Sequence, residues 1–579
     1  MVLMMTIHLL HAGDGYTYLT DQVASNDQER EPGQELTDYY SAEGTPPGRW
    51  WGDGLESLNA FVDALPVEGI SRLAEGDIVT EAHMRAIYGE GLHPLADEIM
   101  PQLIAAGMSA EDAHKALRLG RKFPEFKNEI PLVMQTQAAA QRFVTEHGRR
   151  PTAPELHQLQ RKIAGDLFKA ERGRPASTGR ELESYIAHEK GRMRQPVAGL
   201  DLVFTPPKSL SVLWALGDDD TRQAIDRLHG EAVSNALRWF QDEAIYTRTG
   251  RTGEQQIDTK GMIVTRYEHY DSRAADPNRH THAVVSVKVE GVDGIWRSID
   301  TKAAHRHAVA ASQRYNAMVM DLAHRQLGVE LTTRDMGANK QPVIEVAGVG
   351  QQLIDLFSSR RSEIEVRQEQ LVRQYAAKYG RMPTDKVAYQ LFQQATLDTR
   401  EGKSHPRSLA ELRTLWRDRA ARELGSEQSV DRLIGTVLDA QFERLPAFAG
   451  VQAEARRVVA NLESRRATWT HPTLYAAVEA HLAGISFDTT GARADAVQKV
   501  TAWAARGSIA LTTPDLEPAP TRLRRASGES SLTRHGEQLY SSKAILDAEH
   551  DMLTACHTPT HWVRSEEHTS ELQSRLHLV

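Results

Sequence analysis

Strict alternation of apolar and polar residues indicates β-strands in the middle of the chain. It is seen in GLDLVFTPP (199–207), in KGMIVTRYEHY (260–270) and in HTHAVVSVKVEG (280–291). The last two segments are separated by DSRAADPNR, whose Asp, Pro and Asn residues are typical of turns. We therefore predict a hairpin-like connection between them, followed by another extended segment at IWRSID (295–300).

Apolar residues that recur every three or four positions predict helices on both sides of this region. The pattern is mostly helical from about 79 to 195, and long, charge-rich helices are predicted from 351 to about 464. Another unit begins near 469. The mixture predicts an α+β fold, and a chain of 579 residues is too long for one hydrophobic core.

The composition is that of an ordinary soluble protein, with 40% hydrophobic and 25% charged residues. There is no run of about 18 apolar residues, and the apolar start lacks the cationic residues and the cleavage site of a secretory signal, so a cytoplasmic location is expected. A single cysteine, Cys556, excludes an internal disulfide framework and a multi-cysteine zinc site. Any metal ion is therefore expected on His, Asp or Glu side chains.

The net charge of −9 argues against a surface that is positive all over, but the charge is unevenly distributed. Residues 141–200 hold 12 Lys and Arg against 7 Asp and Glu, which is a local net charge of +5. Such a stretch can bind phosphates locally, and an ordinary solvated helical face is the alternative interpretation.

Three histidines, His269, His280 and His282, lie within 14 residues around the predicted hairpin. Because side chains alternate along a strand, His280 and His282 project from one side, while the other side is apolar. A hairpin connection brings His269 alongside them. A metal ion bound by three neutral imidazoles keeps further coordination positions for other ligands, which a catalytic ion requires. Histidines that simply fill surface or core positions are the alternative.

A carboxylate is expected beside such a site, because a ligating histidine is usually oriented by a hydrogen bond from its other ring nitrogen. Asp201, at the start of an alternating strand, is the candidate for this role. An ordinary surface aspartate at a strand start is the alternative.

Tyrosines cluster near the start of the chain, as Tyr16 and Tyr18 in GDGYTYLTDQ and as Tyr39 and Tyr40 in LTDYYSAEG. They either pack against a sheet edge or include a nucleophile. The pKa of tyrosine is near 10, so a nucleophilic phenol needs a neighbouring charge, and a metal ion that polarises a phosphate lowers this demand. Clustered phenols beside a metal site predict phosphoryl transfer through a phosphotyrosine.

Together these motifs resemble those of conjugative relaxases of the TrwC/TraI (MobF) type, which belong to the HUH endonuclease superfamily. EHYDSRAADPNRHTHAVV (268–285) resembles the metal motif of the family, and LDLVFTPPKSLSVLWAL (200–216) resembles its aspartate segment. YTYLTDQ and DYYSAEGTPPGRWWGDG resemble its two tyrosine clusters. The resemblance covers residues 5 to 349 with gaps, and its four elements occur in the family's order.

The resemblance implies an HUH-type antiparallel sheet with flanking helices. It also implies an enzyme that nicks plasmid or integrative-element transfer-origin (oriT) DNA at a specific site of one strand. In this interpretation His269, His280 and His282 bind a divalent ion, and Asp201 orients one of these ligands. We expect Mg²⁺ or Mn²⁺, because the open positions must take phosphate oxygens, and other ions are the alternative, because imidazole favours transition metals.

The family's reaction is a transesterification in which a tyrosine attacks, a 3′-OH is released and the protein stays on the 5′ phosphate. By motif alignment we predict Tyr18 as the nucleophile, with Tyr16 as its substitute. In the second cluster we predict Tyr39, rather than Tyr40, as the residue that helps to end transfer.

The resemblance further implies three kinds of partner: single-stranded oriT DNA, accessory relaxosome proteins and a type IV secretion coupling protein. It predicts a relaxase domain over 1–349 with a helical insertion at about 79–195, a helical connector over 350–464, and the incomplete start of a RecD-like helicase region over 465–563. The nearest match to a phosphate-binding Walker A loop, EGKS at 401–404, lacks the first glycine, so no ATPase is expected.

Two features at the chain ends have separate interpretations. RSEEHTSELQS (564–574) resembles a translated sequencing adapter, so 564–579 is predicted to be non-native. Near the start, Met5 is the alternative initiator.

Other classes of protein fit some of these features. A replication initiator or transposase of the HUH superfamily is the nearest alternative. A three-histidine metal hydrolase that acts on a small molecule would leave no covalent DNA product, and a metal-stabilised DNA-binding protein would catalyse nothing.

Overall fold

The computed structural model of the protein describes residues 4–20, 46–124, 130–147, 153–192, 195–272, 274–335, 342–399, 407–439, 445–512 and 519–557. Three sequence-based predictions fall outside these ranges. They are the two tyrosines of the second cluster, the EGKS segment at 401–404, and the non-native tail at 564–579.

The β-strands of the described residues are β1 Met5–His11, β2 Arg49–Trp51, β3 Val197–Phe204, β4 Tyr246–Thr249, β5 Gln255–Asp258, β6 Val264–Asp271, β7 Pro277–Ser286, β8 Lys288–Glu290, β9 Trp296–Ser298, β10 Leu331–Arg334, β11 Val343–Val346, β12 Trp469–Thr470, β13 Ile509–Ala510 and β14 Leu539–Ser541. Within these ranges the largest sheet is five-stranded, with the order β1-β3-β7-β6-β2 and antiparallel pairs throughout.

The α-helices of the described residues are α1 Thr17–Thr20, α2 Gly54–Asp63, α3 Glu81–Met84, α4 Ala96–Ala105, α5 Ala110–Ala116, α6 Pro131–His147, α7 Ala153–Arg172, α8 Gly179–Gly191, α9 Lys208–Leu216, α10 Asp219–Ala244, α11 Thr301–Leu327, α12 Gln351–Leu356, α13 Ser359–Tyr379, α14 Asp385–Asp398, α15 Leu409–Leu424, α16 Glu427–Leu438, α17 Val451–Glu463, α18 His471–Leu482, α19 Thr490–Gly507 and α20 Lys543–His557. Short 3-10 helices span Asp14–Tyr16 and Thr521–Leu523, and a π-helix spans Arg85–Glu90. The predicted α+β fold, an antiparallel sheet with flanking helices, is confirmed.

The predicted hairpin forms between β6 and β7. Its boundaries differ from the prediction. β6 begins at Val264 rather than at Lys260, and β7 begins at Pro277 rather than at His280. The second predicted segment is also divided, because β7 ends at Ser286 and β8 follows as a separate strand. A proline is tolerated as the first residue of a strand, where no ladder hydrogen bond is lost. A register shift between His269 and Asp271 marks an irregularity in β6 just before the turn.

The two faces of the central sheet pack against different parts of the chain. One face contributes Leu200, Leu202 and Val285 to the largest hydrophobic core, which contains residues of α9, α10 and α11. The other face contributes Tyr267 and Val284 to a second core, shared with the region from α2 to α5. The alternating pattern of β3, β6 and β7 therefore separates two differently covered surfaces.

The long helices behind the first face begin at carboxylate caps. The side chain of Asp218 accepts a hydrogen bond from the Thr221 backbone N–H at 2.8 Å at the start of α10. At the start of α11, Asp300 accepts one from the Lys302 backbone N–H at 3.2 Å. The first N–H groups of a helix have no partner within it, so these caps define where both helices begin.

The remaining helices form smaller packing units. Helices α6, α7 and α8 contain most of the basic stretch at 141–200, and they share a small core that includes Leu132 and Ile186. Residues of α12, α15 and α16, among them Trp416, belong to the largest core beside the central sheet. The predicted division at 349 and 350 stays a prediction.

The C-terminal unit is built on α17, α18 and α19, with a hydrophobic core that also includes Ala310 of α11. Its contacts with the sheet-bearing part include a ring stack and an ion pair. The Trp239 and Tyr475 rings stack with centroids 4.6 Å apart, and Arg314 pairs with Glu479 at 3.0 Å. No helix among the described residues combines the length and the apolarity needed to cross a membrane.

Candidate metal and nucleophile site

The β6–β7 hairpin brings the three histidines of the sequence motif together. In its register His269 is opposite His280, and Tyr267 is opposite His282, so all three imidazoles share one face of the sheet. Their ring centroids are 4.8 to 5.2 Å apart. Each offers one nitrogen, and these nitrogens lie within 4.8 Å of one another.

Two of the three rings are held so that their Nε2 atom can bind a metal ion. His280 Nδ1 lies 2.7 Å from the carbonyl oxygen of Asn278, which can only accept, so the proton is on Nδ1. His282 Nδ1 lies 2.8 Å from Asp201 Oδ2 and donates to it in the same way. Burial, and then the nearby His282, lower the pKa of His280 to about 3, which leaves it neutral. His269, His280 and His282 therefore suit a divalent ion that keeps coordination positions open to other ligands.

Asp201 connects the histidines to the first tyrosine cluster. Its strand β3 pairs with β7, and His282 is opposite Val203. The phenol of Tyr18, in the short helix α1, donates a hydrogen bond of 2.5 Å to Asp201 Oδ2. The Tyr18 ring meets the His282 ring edge-on, with centroids 5.9 Å apart. Burial, followed by the Asp201 charge and this hydrogen bond, raises the pKa of Tyr18 above its usual value.

Tyr16, the predicted substitute nucleophile, lies elsewhere. It is buried with Leu19 in the second hydrophobic core, which also contains Tyr88 and Trp50. Burial, and then the charge of Glu81, raise the pKa of Tyr16. The structure therefore brings only one phenol of this cluster to the histidines within the described residues; Tyr39 and Tyr40 lie outside them.

Comparison with known proteins identifies the family. The TrwC relaxase family matches residues 12–423. This chain belongs to the TrwC relaxase family. The resemblance seen in the sequence motifs is thereby confirmed.

Individual relatives of this relaxase align over parts of their length. A multifunctional conjugation protein TraI from Escherichia coli is 29% identical over 213 residues. The protein of the same name from strain K12 is 29% identical over 217 residues. These alignments cover 36% of this chain but only 11% of either relative.

Solved structures of the conjugative relaxase TrwC are also similar. The copper-bound complex with oriT DNA has a TM-score of 0.42 at 16% identity, and covers 72% of this chain and 98% of that one. A second metal-bound oriT complex has a TM-score of 0.41 at 17% identity, with 74% and 98% covered.

A buried ionic network, which was not predicted from the sequence, lies on the face of the sheet opposite the candidate site. Arg279 Nη1 donates to Glu268 Oε2 at 2.5 Å, and Arg279 Nε donates to Asp226 Oδ1 at 2.7 Å. Thr281 donates to the same Glu268 oxygen at 2.6 Å, and lies 2.7 Å from Nε2 of the buried His229. The only local signal is that Glu268 and Arg279 immediately precede His269 and His280.

Loss of the Asp201 charge should weaken metal binding by this relaxase. Replacing Asp201 with asparagine removes the anionic acceptor of the His282 Nδ1 proton, and changes of this kind typically cost about 10- to 100-fold in metal affinity. Titration of the DNA-free protein with Mn²⁺ measures the affinity. Asp220→Asn, at an exposed position of α10, is the control and should not change it. Equal affinity in both variants would contradict an orienting role for Asp201.

Proposed function

We propose that this relaxase nicks one strand of transfer-origin DNA by attack of Tyr18, which becomes joined to the 5′ phosphate. One arrangement carries the proposal. The Asp201 carboxylate accepts hydrogen bonds from both the Tyr18 phenol and the His282 imidazole, at 2.5 and 2.8 Å. A nucleophile, an acceptor for its proton and a metal ligand are thus in direct contact.

The reaction follows from these contacts. The Tyr18 oxygen attacks the phosphorus while its proton passes to Asp201, and the bond from phosphorus to the 3′ oxygen breaks. The 3′ oxygen takes up a proton from water and leaves as a hydroxyl, and Asp201 returns its proton to water, so the exchange of esters balances. Because the pKa of Tyr18 is raised, the phenol stays protonated at neutral pH until it reacts. One phosphate ester replaces another, so rejoining the strand needs no ATP.

A divalent ion bound by His269, His280 and His282 would supply the positive charge that polarises the scissile phosphate. We propose Mg²⁺ or Mn²⁺, because the open positions must accept phosphate oxygens. Three imidazoles also suit softer transition ions. Measuring the adduct yield separately with Mg²⁺, Mn²⁺, Zn²⁺ and Cu²⁺ tests this choice of ion. If no adduct forms with Mg²⁺ and none forms with Mn²⁺, the choice is overturned.

The biological setting is also a proposal. Membership of the TrwC relaxase family supports action in the cytoplasm of a donor cell, with accessory relaxosome proteins and a type IV secretion coupling protein as partners. Family membership likewise supports oriT DNA as the substrate, and we propose that it is bound as a single strand.

The decisive experiment mixes the protein with single strands that cover candidate transfer origins of its own replicon, in the presence of Mg²⁺ or Mn²⁺. A denaturing gel and peptide mass analysis should reveal a protein–DNA adduct on Tyr18, and a chelator should abolish it. Strands from the replication origin and from element ends serve as controls. An adduct on those strands alone would indicate an initiator or transposase instead.

No adduct on any strand, in a protein that binds the metal ion, would exclude transesterification. Release of a small-molecule hydrolysis product would then favour a hydrolase. Metal-dependent DNA binding without cleavage would favour a DNA-binding protein.

A further inference from the structure

A second group of metal-ligand side chains lies behind the central sheet. It consists of Glu243 at the end of α10, His307 in α11 and His535 in the segment before β14. Each residue offers one ligand atom, and these atoms lie within 4.8 Å of one another. Helices α10 and α11 cover the sheet face opposite the three histidines of the hairpin, so this group is separate from the candidate relaxase site.

His307 has an unused nitrogen in a buried position. His307 is only 1% exposed, and its Nδ1 lies 2.8 Å from the carbonyl oxygen of Ala303. The proton is therefore on Nδ1, and Nε2 carries a lone pair. Among the described residues Nε2 has no hydrogen-bond partner. A buried acceptor without a partner is costly, so this nitrogen is suited to bind a ligand.

The residue that passes beside this nitrogen, Gly536, is a glycine. A Cβ atom at Gly536 would stand 3.2 Å from His307 Nε2 and 3.0 Å from its Cε1. The backbone of Gly536 has φ +71, which also favours glycine. The chain thus passes the imidazole without covering Nε2 with a side chain.

His535 faces the same space with a suitable hydrogen-bond pattern. Its Nε2 is 3.2 Å from Glu243 Oε2, and its Nδ1 is 2.8 Å from Glu529 Oε2. In metal sites, the histidine nitrogen that does not bind the ion commonly donates a hydrogen bond to a carboxylate. Its ring stacks on that of His307, with centroids 5.4 Å apart and planes 6° from parallel.

We propose that Glu243, His307 and His535 bind a zinc ion that fastens the segment before β14 to the helices behind the sheet. Two imidazoles and a carboxylate are a zinc donor set, with a fourth position for water. Binding releases to water the proton that His535 Nε2 shares with Glu243, while Glu529 and the Ala303 carbonyl orient the two rings. Arg306 already holds the same segment, by a hydrogen bond of 2.6 Å to the His535 carbonyl oxygen.

Zinc stoichiometry of the full chain tests the site. The protein is stripped with a chelator and dialysed against low Zn²⁺, and zinc is then measured by mass spectrometry. His280→Gln/His282→Gln disables the hairpin site, and this variant should retain one tightly bound zinc per chain. Adding His307→Gln should remove it. Adding His305→Gln instead, at an exposed position of the same helix, should leave it bound.

A second readout tests the fastening role and does not depend on the stability of the His307 variant. In His280→Gln/His282→Gln, zinc should slow amide hydrogen exchange in residues 529–541 several-fold. No bound zinc in this variant, or zinc that survives His307→Gln, would overturn the site. Zinc that binds without slowing exchange there would overturn the fastening role.

Discussion

Replacing Tyr18 with phenylalanine is expected to abolish the covalent adduct with transfer-origin DNA and to slow nicking by at least about 10³-fold. The change removes the one oxygen that bonds to phosphorus and keeps the ring that meets His282 edge-on. The hydrogen bond to Asp201 is lost, but the carboxylate still accepts the His282 proton. Single-turnover nicking of a labelled strand on a denaturing gel measures the rate.

Tyr16→Phe is the matched control for this experiment. Tyr16 is 5% exposed and belongs to the second hydrophobic core. Its variant should form the adduct at a rate within about tenfold of the wild-type protein. A first-cleavage adduct that persists in Tyr18→Phe, on any other tyrosine, would contradict the assignment of the nucleophile.

The metal motif could be predicted from the sequence because it depends on local rules. Period-two alternation predicted β6 and β7, and the turn residues between them predicted their pairing. Once two strands pair as a hairpin, alternation alone decides that His269, His280 and His282 share a face. The structure has this arrangement, with His269 directly opposite His280.

The choice between Tyr16 and Tyr18 depends on tertiary packing as well as on motif alignment. The chain turns at Gly13, whose φ is +83, and its N–H bonds to the Gly89 carbonyl oxygen at 3.1 Å. The short helical turns that follow bury Tyr16 and Leu19 and direct Tyr18 to Asp201. The contact of Tyr18 with Asp201 joins residues 183 positions apart, so no local pattern could reveal it.

The same reason explains why the sequence did not reveal the Arg279 network or the second histidine cluster. Arg279 and its partner Asp226 are 53 positions apart, and His535 and its partner Glu243 are 292 positions apart. Charged residues at such separations look like solvated surface positions in a sequence. Arg279 and Asp226 meet because α10 packs against the sheet, and His535 and Glu243 meet because the segment before β14 packs against α10.

Replacing Arg279 with methionine is expected to lower the free energy of unfolding by about 3 kcal/mol. The residue is 5% exposed, and its guanidinium is shared by Glu268 and Asp226. Methionine fills much of the volume but leaves the Glu268 carboxylate without its main counter-charge. Denaturant or thermal unfolding of the full chain measures the loss. Arg227→Met, at an exposed position of α10, should change the stability by less than about 0.5 kcal/mol.

The double variant Arg279→Met/Glu268→Gln separates the charge from the packing. Because the Glu268 charge is removed as well, the double variant should regain part of the free energy of unfolding that Arg279→Met loses, on the order of 1–2 kcal/mol. A single Arg279→Met variant that loses less than about 1 kcal/mol, or a double variant without any recovery, would show that the network does not hold the hairpin together by charge.

The pH dependence gives an independent check on the same pair. Burial alone would raise the pKa of Glu268, but the charges of Arg279 and Arg266 lower it to about 2. A carboxyl with a lowered pKa in the folded state stabilises the fold fully above its unfolded value of about 4.3, and this contribution is lost as the pH falls towards 2. The stability difference between the wild-type protein and the double variant should therefore narrow on acidification from about pH 5.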